Sequence, residues 1–157
     1  MIKIKELVYC VLVIILLGNC NIQKNNEHSE LIKQEYIGGC KKFEYIPVSI
    51  DDLINNPAEY NNKHISVAGN YISGTEIHVI SREKKFSKEN NIWMDFLNSN
   101  DLRDISDTSL KFYSTDPTLK NNRLRVFGLF DTSLHGHLNM FPGGIRSICN
   151  IKIIEQK

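Results

Sequence analysis

The chain has 157 residues, with 19 Lys and Arg against 18 Asp and Glu. Residues 1–19 hold two Lys and one Glu, so the remaining 138 residues, a length that fits one domain, carry 17 basic and 17 acidic side chains. This zero net charge argues against the strongly basic surface on which nucleic-acid binding depends, and no nucleic-acid partner is expected.

The first twenty residues have the layout of an export signal. Two lysines precede an apolar run over 7–17, which is too short to span a bilayer as a helix and is typical of a signal peptide. The sequence LGNC at 17–20 resembles the lipobox of bacterial lipoproteins, with Asn19 where Gly, Ala or Ser is usual. The resemblance implies a signal peptide over 1–19 and a lipidated Cys20. The alternatives are an uncleaved anchor and an ordinary signal peptide.

The segment after Cys20 is polar and rich in Asn, Glu and Lys. It contains too few apolar side chains to bury a core of its own. We therefore expect a flexible tether over 20–36 and a folded domain over 37–157.

Four cysteines divide by position. Cys10 lies in the signal and Cys20 is the lipidation site, which leaves Cys40 and Cys149. In an exported protein an even pair predicts a disulfide that ties the N-terminal arm to the last strand. Two buried free thiols are the alternative.

A short helix is predicted to begin after Ser49. Ser49 suits the N-cap position, Asp52 stands at the third position of a capping box, and Val48 can pack against Leu53. Pro57 ends or restarts the helix. The acidic side chains here are therefore interpreted as helix-end residues and not as a catalytic pair.

Five segments then show the period-two alternation of strands. On one face of the sheet we place apolar residues from all five strands, with His78, Ile80, Trp93, Phe127 and Leu129 on the other. The residues assigned to the first face are Ile65, Val67, Tyr71, Ile77, Val79, Ile92, Met94, Phe96, Leu124, Val126, Phe130, Cys149, Ile151 and Ile153.

Glycine stands inside two of these strands, at Gly69 and Gly128, where a bulge or a tight bend is expected. A short helix is expected in 98–115, between strands three and four. An all-β domain with one or two short helices, and a small five-stranded barrel of OB type, is the predicted fold.

Three blocks of sequence carry a family resemblance. They read VSIDDLINNPAEYNNKHISVAGNYISGTEIHVIS, IWMDF and RVFGLFDTSLHGHLNMFPGGIRSICNI. Their spacing resembles that of small uncharacterised bacterial proteins and covers roughly residues 47–154. The resemblance implies an OB-like domain and brings no activity with it.

His135 and His137 form the strongest candidate for chemistry. Alternate histidines can point to one side of an extended segment and bind a metal, with His64 or His78 as a third ligand. A loop-ordering hydrogen bond from His137 is the competing interpretation. No nucleophile motif surrounds Cys40, so an enzyme is not favoured and no cofactor is expected.

Three residues are candidates for facing a ligand: Trp93, Tyr71 and His137. OB folds bind ligands on strands two and three, where an aromatic side chain such as Trp93 can stack on a ring. Packing in a second core is the alternative for Trp93.

These features predict a lipid-anchored binding or accessory module of the bacterial cell envelope, attached to the membrane and contacting an envelope protein. Asn21, in place of Asp after Cys20, favours the outer membrane if the cell has two membranes. A periplasmic inhibitor or immunity-type protein, and a metal-dependent enzyme using His135 and His137, are the alternatives.

Overall fold

A computed structural model describes residues 30–38, 43–96, 102–107, 114, 119–120 and 122–155. Within them the chain is mainly β-strand. The strands are β1 (Ile32–Ile37), β2 (Ile46–Val48), β3 (His64–Gly74), β4 (Ile77–Ser81), β5 (Asn91–Met94), β6 (Arg103–Asp104), β7 (Arg123–Asp131) and β8 (Gly144–Ile154). The helices are α1 (Ile50–Asn55), α2 (Pro57–Tyr60) and one 3₁₀ turn (His137–Asn139).

Helix α1 begins as the sequence predicts. Ser49 is its N-cap, and the Ser49 hydroxyl oxygen accepts a hydrogen bond from the Asp52 amide at 3.0 Å. Pro57 opens α2 directly after α1, a position where its missing N–H costs nothing. Both features depend on neighbouring residues alone, which is why the sequence predicts them well.

All eight strands belong to one sheet, in the order β2-β3-β4-β5-β8-β1-β6, with β7 pairing with both β3 and β8. The pairs β2–β3 and β5–β8 are parallel, and the others are antiparallel. The prediction of an all-β fold with few helices is confirmed. A closed five-stranded barrel is not confirmed, because the strands are not spaced evenly round one axis.

The main core lies on one side of this sheet. It includes most of the residues that alternation assigns to the core face, such as Ile65, Val67 and Ile92, each fully buried. The faces of β4 are an exception, because Ile80 lies in the core and Val79 does not. Register explains the error: Tyr71 pairs with Ile80, so their side chains share a face.

The two strand glycines allow close approaches. A Cβ at Gly69 would lie 2.5 Å from the Ile50 side chain and 2.7 Å from the Ser81 carbonyl oxygen. Gly128 stands where the register of β7 and β8 shifts between Phe127 and Leu129. A bulge is therefore present at Gly128, as predicted, while Gly69 admits helix α1 against the sheet.

One predicted boundary differs from the structure. Strand β1 begins at Ile32, inside the range 20–36 predicted as tether, because pairing with β8 satisfies the backbone of a mostly exposed segment. The helix predicted in 98–115 falls largely outside the described residues. Its described part contains β6, which pairs with β1.

Residues 1–29 lie outside the described residues, and so do the predicted signal peptide and Cys20. Among the residues that are described, no helix is long and apolar enough to cross a membrane.

Candidate functional site

The outer side of β4 and β5 carries a second, smaller apolar cluster. Val79 pairs with Trp93 across these strands, and Val79 is fully buried although it lies outside the main core. Because neighbouring residues of a strand point to opposite faces, Val79 and Trp93 face away from Ile80 and Ile92. Something other than the main core must therefore cover them.

The connection between β7 and β8, residues 132–143, supplies this cover and is called the cover loop here. The Phe141 ring stacks on the Trp93 indole, with centroids 5.5 Å apart and planes 29° apart. The Trp93 amide donates to the Gly143 carbonyl oxygen at 3.2 Å. Trp93 is half-buried as a result, which agrees with packing in a second core.

Gly136 brings the backbone of the cover loop directly onto the indole. Its φ is 62°, and a Cβ there would lie 2.4 Å from the Trp93 ring. Only glycine combines this left-handed conformation with so close an approach. The contact between Gly136 and Trp93 therefore fixes where the loop crosses the sheet.

His135 and His137 hold the cover loop in two different ways. The Nδ1 atom of His135 lies 2.8 Å from the Phe141 carbonyl oxygen. The Nδ1 atom of His137 lies 3.4 Å from a carboxylate oxygen of Glu76, in the turn between β3 and β4. The contact with Glu76 brings His137 to the turn between β3 and β4, and the loop-ordering hydrogen bond from His137 stays a prediction.

The predicted metal-binding set does not assemble around these histidines. His64 stacks on Phe43 at 3.8 Å, and His78 binds Tyr71, so neither joins His135 and His137. The described residues contain no group of three or more His, Cys, Asp or Glu placed to hold a metal ion.

Tyr71 does not fit its predicted role as a ligand-facing residue, because its side chain is 1% exposed. Its hydroxyl donates to the Ser114 carbonyl oxygen at 2.7 Å and lies 2.8 Å from Nδ1 of His78. Burial raises the pKa of Tyr71 far above its usual value and lowers the pKa of His78. Tyr71 is thus a core residue with a satisfied polar end.

The outer surface of the cover loop presents an apolar residue that the sequence does not single out. Leu138 is 76% exposed and has a φ of 55°, and Asn139 beside it has a φ of 53°. A left-handed conformation costs a non-glycine residue about 1–2 kcal/mol. The sequence signal for this feature is weak, since Leu138 differs from other loop leucines only through the loop geometry.

Of the predicted cysteine pair, Cys149 is buried in β8, with 6% of its surface exposed. Cys40 lies outside the described residues. The Gly38 amide, two residues before Cys40, donates to the Cys149 carbonyl oxygen at 2.8 Å. The disulfide itself stays a prediction.

Comparison of the chain with protein-family models, with curated proteins and with solved structures finds no match. The function proposed below therefore depends on the residues of this chain.

Proposed function

We propose that the protein is a lipid-anchored binding module of the bacterial cell envelope, which contacts an envelope protein through its cover loop. The anchor is the acylated Cys20 and the binding part is the β-rich domain. The observation that carries the proposal is Leu138, a strained and exposed apolar residue on the cover loop. The loop is held at both ends, because the Thr132 amide donates to the Asn61 side chain and the Gly143 carbonyl oxygen accepts from the Trp93 amide.

The physical argument concerns what the exposed leucine costs. Leu138 has an unfavourable backbone conformation and leaves 76% of its surface in water. Neither feature stabilises the folded domain. Strained residues persist where the surrounding structure holds them, and they cluster at functional sites. A partner that covers Leu138 would bury a side chain worth about 1.5–3 kcal/mol.

The cover loop is also prepared for such a contact. Gly136 seats it on Trp93, and Glu76 contacts it through His137. A loop fixed before binding loses little conformational entropy when it binds. This supports a recognition surface rather than a passive connection.

We further propose that the sheet is an OB-like barrel. The pairings β3–β4, β4–β5, β5–β8, β8–β7 and β7–β3 form a cycle, with β5 and β8 parallel, as expected for an OB topology. The face of the second and third strands of this cycle and the loops beside it are where OB folds bind ligands. That face is the one under the cover loop.

The membrane location is argued from the sequence. The apolar run over 7–17 is too short to span a bilayer, so retention depends on acylation, and two acyl chains anchor stably where one does not. A Cys20→Ser protein should be released from membranes or left unprocessed. If the variant stays membrane-bound and is cleaved normally, the lipoprotein proposal is wrong.

The binding site is tested by photo-crosslinking in intact cells. A photoreactive amino acid replaces Leu138 in one strain and Ile105, which is 60% exposed, in a control strain. We expect one envelope protein to crosslink at position 138 and not at 105, and to be lost when Phe141→Ala removes the support of the loop.

The identity of the captured protein separates the alternatives. An envelope protein resident in the same cell supports the accessory role. A toxin or hydrolase that arrives from outside supports the immunity-type alternative instead. Equal capture at positions 138 and 105, or none at either, overturns the proposed binding surface.

A further inference from the structure

The loop between β4 and β5, residues 82–90, presents an aromatic side chain among basic ones. Phe86 is 39% exposed. Lysines stand on both sides of it in the sequence, and all three are exposed. They are Lys84, Lys85 and Lys88.

Hydrogen bonds hold both ends of this loop. The Ser81 hydroxyl and the Arg82 amide both donate to the Asn90 carbonyl oxygen, at 3.2 and 3.3 Å. The Asn90 side chain donates to Glu83 at 3.0 Å, and the Asn91 side chain donates to the Ser87 carbonyl oxygen. The loop is therefore a fixed platform whose tip carries Phe86.

Phe86 is positioned by a contact with the cover loop. Its ring meets Phe141 edge to face, with centroids 6.5 Å apart and planes 83° apart. One part of the ring is thus supported and the rest faces solvent. A partly exposed ring with a packed base can insert into an interface without the loop rearranging.

Some charged residues of this loop form ion pairs and others do not. Arg82 contacts Asp51 at 2.8 Å and Glu83 at 3.5 Å. The first two charged residues of the loop, Arg82 and Glu83, are therefore both in ion pairs. None of the three lysines forms an ion pair with a described residue. Glu89 is also exposed and offsets one of the three lysines. Residues 20–157 carry no net charge, so the loop differs from the rest in having a surplus of two positive charges near one aromatic ring.

We propose that the 82–90 loop docks the domain onto an anionic bilayer surface, with Phe86 in the headgroup layer and the three lysines against anionic headgroups. Phe is one of the apolar side chains that membrane-surface segments bury at the headgroup boundary, and each lysine near an anionic leaflet adds roughly a fivefold preference for it. Charge complementarity therefore selects a lipid surface as the occupant of this loop.

This inference rests on the proposed lipid anchor, which keeps the domain near the bilayer. Eleven residues separate Cys20 from Ile32, and an extended chain of that length reaches up to about 40 Å. The loop can therefore reach the membrane surface. Docking would replace a freely hanging domain by one with a preferred orientation.

The test uses the full acylated chain reconstituted into phosphatidylcholine vesicles with and without phosphatidylglycerol. A trifluoromethyl-phenylalanine replaces Phe86 or, as a matched control, Phe43, which is 40% exposed. Lipids carrying a nitroxide headgroup broaden the fluorine signal of any group at the surface. We expect at least twofold greater broadening at position 86 than at 43, and only in the anionic vesicles.

Charge variants complete the test. K84Q/K85Q/K88Q should reduce the broadening at 86 to the level at 43. K33Q/K63Q/K120Q removes three other exposed lysines and should leave it unchanged. Equal broadening at both positions, no effect of lipid charge, or equal effects of the two triple variants overturns the docking proposal. Failure of the protein to float with vesicles is a different result, and it contradicts the anchor.

Discussion

The Tyr71 hydroxyl oxygen lies 2.8 Å from Nδ1 of His78, and the two rings are stacked with planes 8° apart. Because the hydroxyl donates to the Ser114 carbonyl oxygen, its oxygen is left to accept a hydrogen bond. Nδ1 of His78 is therefore assigned the proton that it donates. His78 is two residues before Ile80 on β4, so it lies on the core side of the sheet with Tyr71 and not on the outer face where alternation placed it.

The His78 pair predicts a pH dependence of stability. Burial lowers the pKa of His78 below its usual 6.5, so the unfolded chain binds the proton more readily. The free energy of unfolding should therefore fall as the pH drops from about 7 through 6.5, and level off below the folded pKa. Urea unfolding between pH 5 and 8 measures this dependence of stability on pH.

The matching variant is His78→Phe, which keeps a ring against Tyr71 and Phe96 but does not titrate. We expect the slope of stability against pH in this range to become smaller. The contribution of Asp104 falls in a lower range, because hydrogen bonds from Ser106 and Gln34 lower its pKa to about 2. An unchanged slope in His78→Phe would contradict the prediction.

Gly69→Ala should destabilise the fold by about 1–3 kcal/mol, as overpacking of a core does. The new methyl group would meet the Ile50 side chain and the Ser81 backbone within 2.7 Å. Gly74→Ala is the control, because its nearest neighbour is 4.0 Å away and a change below about 0.5 kcal/mol is expected. Thermal unfolding of both variants measures the two changes in stability. Similar losses of stability in Gly69→Ala and Gly74→Ala would contradict the prediction.

The sequence predicts features that depend on neighbouring residues and fails on those that depend on register. Ser49 and Pro57 mark the two helices correctly, because a cap is a local structure. Val79 and Ile80 are adjacent and both apolar, so alternation within β4 cannot tell which one faces the core. The pairing of Ile80 with Tyr71 decides it.

The remaining differences have the same origin. Strand β1 contains one buried core residue, Tyr36, and so resembles a polar tether until β8 pairs with it. Trp93 is singled out by its type, but its cover comes from Gly136 and Phe141, more than 40 positions along the chain. The sequence therefore predicts Trp93 as a residue of the candidate site but not the loop that covers it.

Glu30→Gln should weaken the attachment of the N-terminal arm. Two nitrogens of Arg125, Nε and Nη2, each lie 2.7 Å from an oxygen of Glu30, and the hydrogen bonds from Arg125 lower the pKa of Glu30. Because the pair is partly exposed, we expect a loss of about 1 kcal/mol or less. This contribution should disappear as the pH falls below 4.5.

The control is Glu89→Gln, an exposed carboxylate on the 82–90 loop with no described partner. Hydrogen exchange of β1 reports the local effect, and faster exchange is expected in Glu30→Gln alone. Unchanged exchange of β1 would show that the ion pair does not hold the arm.

A double-mutant cycle tests the predicted disulfide. If Cys40 and Cys149 are bridged, Cys40→Ala, Cys149→Ala and the double variant should lose similar amounts of stability. A bridge that closes a loop of about 110 residues contributes nominally 4–5 kcal/mol. Additive losses, or free thiols that react with iodoacetamide in the unreduced unfolded protein, would favour two separate cysteines.

Strand β8 pairs with β1, β5 and β7, and it follows all three in the sequence. A chain synthesised from its N-terminus therefore lacks the common neighbour of these strands until residues 144–154 have emerged. The pairings of β3 with β4 and β7, and of β4 with β5, do not need β8. The three pairings that β8 completes include contacts between distant parts of the chain, and contacts of that kind form slowly. Until then the sheet stays open along β8. This would suit the export that we propose, because a chain can cross a membrane before it folds.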